Sequence, residues 1–203
     1  DWYYSPKRKI KSRVFVGYFP LNPRREAGSV NSSLAQRSLG LAYQGYHDYM
    51  DETFLGRREA EGFLSRQVAL REGGFKTATT APFRGVLGNS NNMIASINLT
   101  ADLPLDFWPI NWVKPFVDIG YYSDQTPTAD LELSDQLLWS AGLSISVGDG
   151  LFALHFPLVN ASRLNDVLDM AGQEDIWERM TFSLNLSKIK LNEWIEDRPL
   201  IIN

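Results

Sequence analysis

In five stretches between Asn92 and Ser187 the chain alternates apolar and small polar side chains with period two. That period belongs to the pleat of a β-strand, whose successive side chains point to opposite faces. Between Leu138 and Val147, Trp139, Ala141, Leu143, Ile145 and Val147 share one face, and Ser140, Gly142, Ser144 and Ser146 the other. A helix would also place Trp139 over Leu143. The serine, glycine and β-branched content and the Gly148-Asp149-Gly150 turn that follows favour a strand. Next, Phe152, Leu154, Phe156 and Leu158 oppose Ala153 and His155. From Met180 to Ser187, Met180, Phe182, Leu184 and Leu186 oppose Thr181, Ser183, Asn185 and Ser187. Upstream, Met93, Ala95, Ile97, Leu99, Ala101 and Leu103 oppose Asn92, Ser96, Asn98, Thr100 and Asp102. Val113, Val117, Ile119 and Tyr121 alternate with Lys114, Phe116, Asp118 and Gly120.

The chemistry of the two faces decides the environment. A soluble antiparallel sheet turns charge outward and apolar residues inward. Here the polar face is Ser, Thr, Asn and Gly, nearly free of Lys and Glu, which suits a barrel interior. The pattern predicts an all-β fold, an antiparallel transmembrane β-barrel, with Trp139, Leu143, Ile145, Phe182, Leu184 and Leu186 facing lipid. Strands of roughly 9–12 residues match a tilted bilayer crossing; the globular mode is nearer 5–6. Connections alternate short and long, as periplasmic turns and extracellular loops do. The last strand then runs inward, and the acidic loop with Asp124, Asp130, Glu132 and Asp135 faces outside.

The N-terminal part is less regular. Residues 1–48 hold two strand patterns, Arg13–Phe19 and Ser38–Tyr46, around a polar loop. Lys7, Arg8, Lys9, Lys11 and Arg13 read as a solvated turn. Residues 49–90 form a long glycine- and arginine-containing loop, which at that length is expected to be functional or folded on itself, in the lumen. Residues 91–189 carry five C-terminal strands and 190–203 a tail. Seven strands is odd, whereas single-chain bacterial barrels have even counts. Either a strand near Phe63–Leu70 completes the set or the chain is part of a larger barrel. Leu164, Val167, Leu168 and Ala171 recur at helical spacing after Ser162, predicting a capped helix in an external loop.

Composition removes other classes. There is no cysteine, so neither a disulfide scaffold nor a thiolate metal site is available. A net charge of −4 argues against a nucleic-acid binder. No apolar run is long enough for a transmembrane helix, and the first residue is Asp, so the chain is expected to be mature, trimmed or a fragment. His47 and His155 lie far apart and fit hydrogen-bonded lumen or rim positions better than metal ligation. His-Glu-x-x-His and Gly-x-Ser-x-Gly motifs are absent. The reading is no enzyme, no cofactor and no metal. The charge to follow is Asp118, inward on an otherwise apolar-backed strand. In a packed lumen it needs a partner, and Arg66 and Arg71 in the long loop could supply one.

Read in order, Asn91–Leu103, Phe116-Val117-Asp118-Ile119-Gly120, Ser140-Ala141-Gly142-Leu143-Ser144, Gly150–Leu158 and Met180–Ser187 resemble the C-terminal strands of the bacterial surface antigen family, the barrels of outer-membrane assembly and two-partner translocation. The resemblance implies a sixteen-stranded barrel, of which these would be the last seven or eight. It also implies that the long loop enters the lumen and sets an Arg-Gly-Phe motif against the inward Asp, here Asp118. Glu61-Gly62-Phe63 holds the Gly and Phe but has Glu in the Arg place, which leaves Arg66 or Arg71 as the partner. The chain also runs on past its last strand, whereas the family usually stops there. Asp51–Arg57 and Arg71-Glu72-Gly73-Gly74-Phe75-Lys76 are similar to a narrower group in which such a barrel follows a zinc aminopeptidase-like domain.

These readings imply a membrane anchor or assembly and translocation barrel in a Gram-negative outer membrane. Its partners would be lipid and other subunits or the rest of the same barrel, with no nucleic acid. The alternatives are the anchor and docking module of a surface metallopeptidase-like protein whose catalytic domain lies elsewhere, and a soluble β-barrel or sandwich binding domain.

Overall fold

A computed structural model describes residues 1–20, 39–44, 55, 62–81, 85–90, 92–104, 112–123 and 136–188. Its main feature is one seven-stranded antiparallel sheet, curled into half a barrel. The strands are β1 (Trp2–Ser5), β2 (Arg8–Tyr18), β3 (Met93–Ala101), β4 (Val113–Tyr122), β5 (Leu137–Val147), β6 (Phe152–Asn160) and β7 (Thr181–Leu184). They pair in chain order, each with the next. Registers are long and regular: Ile10↔Ala101 through Tyr18↔Met93 between β2 and β3, and Val113↔Ile145 through Tyr121↔Leu137 between β4 and β5. The shift in the β5–β6 ladder falls between Ala141 and Gly142, where Gly142 faces Pro157. Proline has no N–H to give a ladder, so a bulge is where an inner strand can hold one.

All the short connections fall at one end of the sheet and all the long ones at the other. Pro6-Lys7, the β3–β4 connection and Gly148–Gly150 join strand ends on the short side. The β2–β3, β4–β5 and β6–β7 connections join strand ends at the opposite side. The last of these carries α1 (Ser162–Met170) and α2 (Ile176–Arg179).

Several elements differ from the sequence reading. Trp2–Ser5 is a strand, and β2 begins at Arg8, so Arg8, Lys9, Lys11 and Arg13 belong to a strand and the turn shrinks to two residues. Within Ser38–Tyr46 the described residues make two short pairings, Leu39–Gly40 with Asn89–Ser90 and Tyr43–Gln44 with Val68–Ala69. The stretch Phe63–Leu70 is a 3-10 turn (Leu64–Arg66) running into that second pairing. The final strand ends at Leu184, because Ser187 bonds back to the Asn185 side chain and Leu186–Lys188 turns away. The helix is present, but Ala161 takes the N-cap position and Ser162 is its first residue. The capping box sits on α2, between Asp175 and Glu178. Residues 124–135 and 190–203, with His47 and Glu61, lie outside the described set.

The core lies on the concave face towards the long-loop end. Leu41, Phe75, Ile94, Tyr122, Leu138, Leu164 and Leu168 form a contiguous buried cluster. Strand ends, the inserted loop and α1 all contribute to it.

Candidate functional site

Small residues on the concave face make room for a chain segment to lie against it. Gly120 of β4 is the clearest case. A Cβ there would stand 2.5 Å from a Leu41 methyl and 2.8 Å from the Phe75 ring. Segment 71–79 fills that room, and residues 73–79 are all buried. Gly74 turns the segment with φ +66°, and a Cβ at this position would meet the Arg13 guanidinium at 2.5 Å. Both glycines are therefore required by the way the loop docks.

The segment is held by Asp118, which is fully buried. Its Oδ2 accepts the Lys76 backbone N–H at 2.9 Å. Its Oδ1 accepts the Lys76 Nζ at 2.8 Å and the Asn98 Nδ2 at 3.0 Å. The Asn98 amide also donates to the Gly73 carbonyl at 3.0 Å, and its oxygen accepts from Arg13 at 3.1 Å. The Lys76 ammonium sits 4.8 Å from the Phe116 ring centroid. Two further bonds pin the segment: the Thr77 and Ser140 hydroxyls bond each other, and Thr181 donates to the Lys76 carbonyl. The segment thus bonds β3, β4, β5 and β7 together across the concave face. A buried ion pair is tolerable only when its remaining donors and acceptors are met; the carboxylate's are met by loop backbone and Asn98, and the ammonium lies against the Phe116 ring and borders the cavity beyond.

The sequence-predicted residues are placed differently from one another. Asp118 is inward and locked, but its ammonium partner is Lys76. Arg66 instead donates to the Trp177 carbonyl at 2.7 Å, 111 residues away. Arg71 is exposed, and its carbonyl accepts from Gly74 in the turn that delivers Lys76. Gly62 has φ +83°, and Phe63 stacks on Phe182 with centroids 4.8 Å apart. Gly62-Phe63 therefore sits at the edge of β7, and the Gly-Phe that reaches Asp118 is Gly74-Phe75. The difference follows from reach: Lys76 is adjacent to the docked turn, whereas Arg66 is spent on α2. Sequence reasoning passed over Lys76 and Asn98. Alternation alone makes Asn98 legible as inward on β3, and Lys76 is marked only by its place in Arg71-Glu72-Gly73-Gly74-Phe75-Lys76.

Of the residues expected to face lipid, Trp139 and Leu143 are exposed on the sheet and Ile145 and Leu184 are partly so, whereas Leu186 is exposed in the turn beyond β7, off the sheet. Phe182 is the correction. It points away from the lumen residues Thr181 and Ser183 but is 1% exposed, because the Phe63 ring covers it.

Towards the short-turn end the concave face is polar and open. His155 Nδ1 lies 2.8 Å from Ser144 Oγ, and its Nε2 lies 3.0 Å from Ser183 Oγ, a hydrogen-bonded row across β5, β6 and β7. A cavity of about 460 Å³ opens beside it, bordered by Lys11, Lys76, Asp102, Lys114, Ser144 and Ser183. Asp102 ties this end together. It pairs with Lys114 at 2.8 Å and accepts the Lys9 N–H at 3.0 Å. Partial burial works against its charged form. The hydrogen bonds from Lys114 and Lys9 and the charges of Lys114 and Lys11 outweigh it, holding the carboxyl below its ordinary range. Among the described residues no group of three His, Asp or Glu side chains is placed to hold a metal ion.

No family model, curated protein or solved structure matches the chain.

Proposed function

We propose that the chain forms part of an outer-membrane β-barrel of the bacterial surface antigen type, acting as a membrane anchor or assembly barrel. The observation that carries this reading is the inverted polarity of the sheet. Its convex face exposes Val14 and Val16 on β2, Ile97 and Leu99 on β3, Val117 and Ile119 on β4, and Trp139 and Leu143 on β5. Its concave face buries Ser96, Asn98, Asp118, Ser140, Ser144, His155, Thr181 and Ser183. A contiguous apolar patch this broad is rare on a protein surrounded by water. It is the normal outer surface of a lipid-embedded barrel.

The loop packed on the concave face favours an anchor over an open conduit. Segment 71–79 occupies the middle of the concave face, and the apolar cluster packs at the long-loop end. An anchor needs something to carry, and the similarity of Arg71–Lys76 to barrels that follow a zinc aminopeptidase-like domain names one passenger class. In this orientation the short turns face the periplasm and the α1–α2 connection faces outside.

The test is partitioning. The chain should refold only with detergent or vesicles, and the fluorescence of a variant that keeps Trp139 alone of the six tryptophans should be quenched by lipids brominated along their acyl chains. A chain that is monodisperse in plain buffer sinks the membrane reading and leaves the soluble-barrel alternative.

A further inference from the structure

The cavity on the short side of the concave face is bordered by three ammoniums, Lys11, Lys76 and Lys114, against one carboxylate, Asp102. Even with Asp118 behind Lys76 counted, three cations face two anions. The local balance is positive in a chain whose net charge is −4. The sheet register collects these residues. Lys114 stands opposite Ser144, Ser144 opposite His155, and His155 opposite Thr181, one row from β4 to β7. In the neighbouring row Lys11 stands opposite Thr100, and Thr100 opposite Phe116. Residues directly opposite one another share a face, so both rows point to the concave side. Lys76 reaches them from the docked segment and lies deep. Lys11 is exposed at the mouth, and Lys114 partly so.

The carboxylates are engaged by the protein. Asp118 accepts from Lys76 and Asn98, and Asp102 from Lys9 and Lys114. The donors have capacity left. An ammonium carries three N–H groups. The Lys76 side chain is 9% exposed. Among the described residues its Nζ bonds one oxygen, Asp118 Oδ1, and the Phe116 ring lies beside it. A charge so buried leaves its remaining donors to be met from the cavity. The histidine row adds a hydroxyl. A neutral His155 ring donates to one of Ser144 and Ser183 and accepts from the other; a charged ring donates to both. In either form at least one serine keeps its own O–H, and both serines border the cavity.

We propose that this cavity binds a phosphate group, held by the Lys76, Lys114 and Lys11 ammoniums and by one hydroxyl of the Ser144–His155–Ser183 row. The donor set selects the anion. Lysine is a point charge without the planar fork that grips a carboxylate. Several ammoniums and a hydroxyl converging from different strands suit a tetrahedral oxyanion. At about 460 Å³ the cavity is larger than the bare ion needs, so the group can arrive on a small organic body. The cavity opens on the concave side, away from the apolar face, which favours a soluble phosphate or phosphate ester over a lipid headgroup. None of this depends on what covers the convex face.

The test titrates the full chain, in whichever medium keeps it monodisperse, at constant ionic strength. The probes are inorganic phosphate, glycerol 3-phosphate and a short-chain phosphatidate, with chloride as the control, read by calorimetry. Saturable binding of phosphate or glycerol 3-phosphate is the expected result. Binding of the phosphatidate alone keeps the phosphate site and makes a headgroup its source. Saturation by none of the three overturns the proposal, and so does chloride binding as well as phosphate. Lys76 is left intact because it holds the loop. Lys11→Gln and Lys114→Gln should each weaken binding about 10-fold, the worth of a charge-assisted hydrogen bond. Lys7→Gln, in the exposed turn outside the cavity, should not. Asp102→Asn should tighten binding about 2- to 5-fold, because it removes a facing carboxylate and releases the Lys114 ammonium. Damage to the fold cannot mimic a gain in affinity. Lysine variants that bind like the parent, or an Asp102→Asn chain that binds no more tightly, overturn the site.

Discussion

The two faces of β4 put the logic of the molecule side by side. Phe116, Asp118, Gly120 and Tyr122 point inward, and Val117 and Ile119 point outward. The outward pair are the exposed ones, and the inward Asp118 is the residue with no exposure. In a water-soluble sheet the assignment would be reversed. The comparison teaches that polar does not mean wet here. Around Asp118 the concave face is polar because its groups bond to an inserted loop, and the convex face is apolar because it has nothing of its own to bond.

The largest effect is expected where the concave face concentrates its charge. Asp118→Ala leaves the Lys76 ammonium buried without its carboxylate and also strips Asn98 of an acceptor. Breaking a buried pair from one side costs about 3–5 kcal/mol. The variant should lose protease protection across segment 71–79 and melt well below the parent. Replacing both partners, Asp118→Asn with Lys76→Met, should recover part of the loss. If the single variant matches the parent in both measurements, the concave face is solvated and the contrast between the faces fails.

The convex face is tested next, by charge. Ile119→Arg puts a guanidinium on the outward face near mid-strand. In a lipid-embedded barrel that costs about 2–4 kcal/mol at the bilayer midplane, read as weaker equilibrium folding into vesicles. In water the same exposed position would be almost neutral. The two media give opposite answers, so one variant separates the membrane reading from the soluble one.

How far the sequence reached differs between the same two faces. Alternation placed the C-terminal strands almost to the residue and set Asp118 inward, because a two-residue period has only two phases. It also separated the apolar from the small-polar face. What it could not place were contacts with no period. Lys76 meets Asp118 across 42 residues, and nothing local distinguishes it from Arg66 or Arg71. Phe182 continued the outward pattern without error, yet it is buried, since the ring that covers it comes from Phe63. The strand at Trp2–Ser5 was missed because it is short and its aromatic run does not alternate. The overextended last strand shows the reverse limit: alternation persists to Ser187 after the pairing has stopped.

A milder test of loop docking lies at Gly120. Alanine there would push its methyl into Leu41 and Phe75. Overpacking of this kind costs about 1–3 kcal/mol. The loss should appear as a lower melting temperature, and Phe75→Leu should relieve part of it, since the ring is one of the two obstacles. An additive pair of effects would mean that the loop does not press on the strand as described.

The smallest effect belongs to the short-turn end, where the concave face opens to water. Asp102 is held below its ordinary range when folded, and it returns to about 3.9 when unfolded. A lowered folded value means that its stabilisation is complete above the unfolded value. It is then lost as pH falls through the folded one. The pair with Lys114 is partly exposed, so its worth is about 0–1 kcal/mol and salt should reduce it further. Asp102→Asn removes the titration while keeping a similar shape. Melting curves of parent and variant should therefore differ most near neutral pH and converge as the pH drops below the ordinary carboxylate range. Other carboxylates titrate in the same window, but they do so in both chains, so the difference isolates Asp102. A gap that stays constant down to strong acid would mean that the carboxyl at this end is held by nothing that depends on its charge.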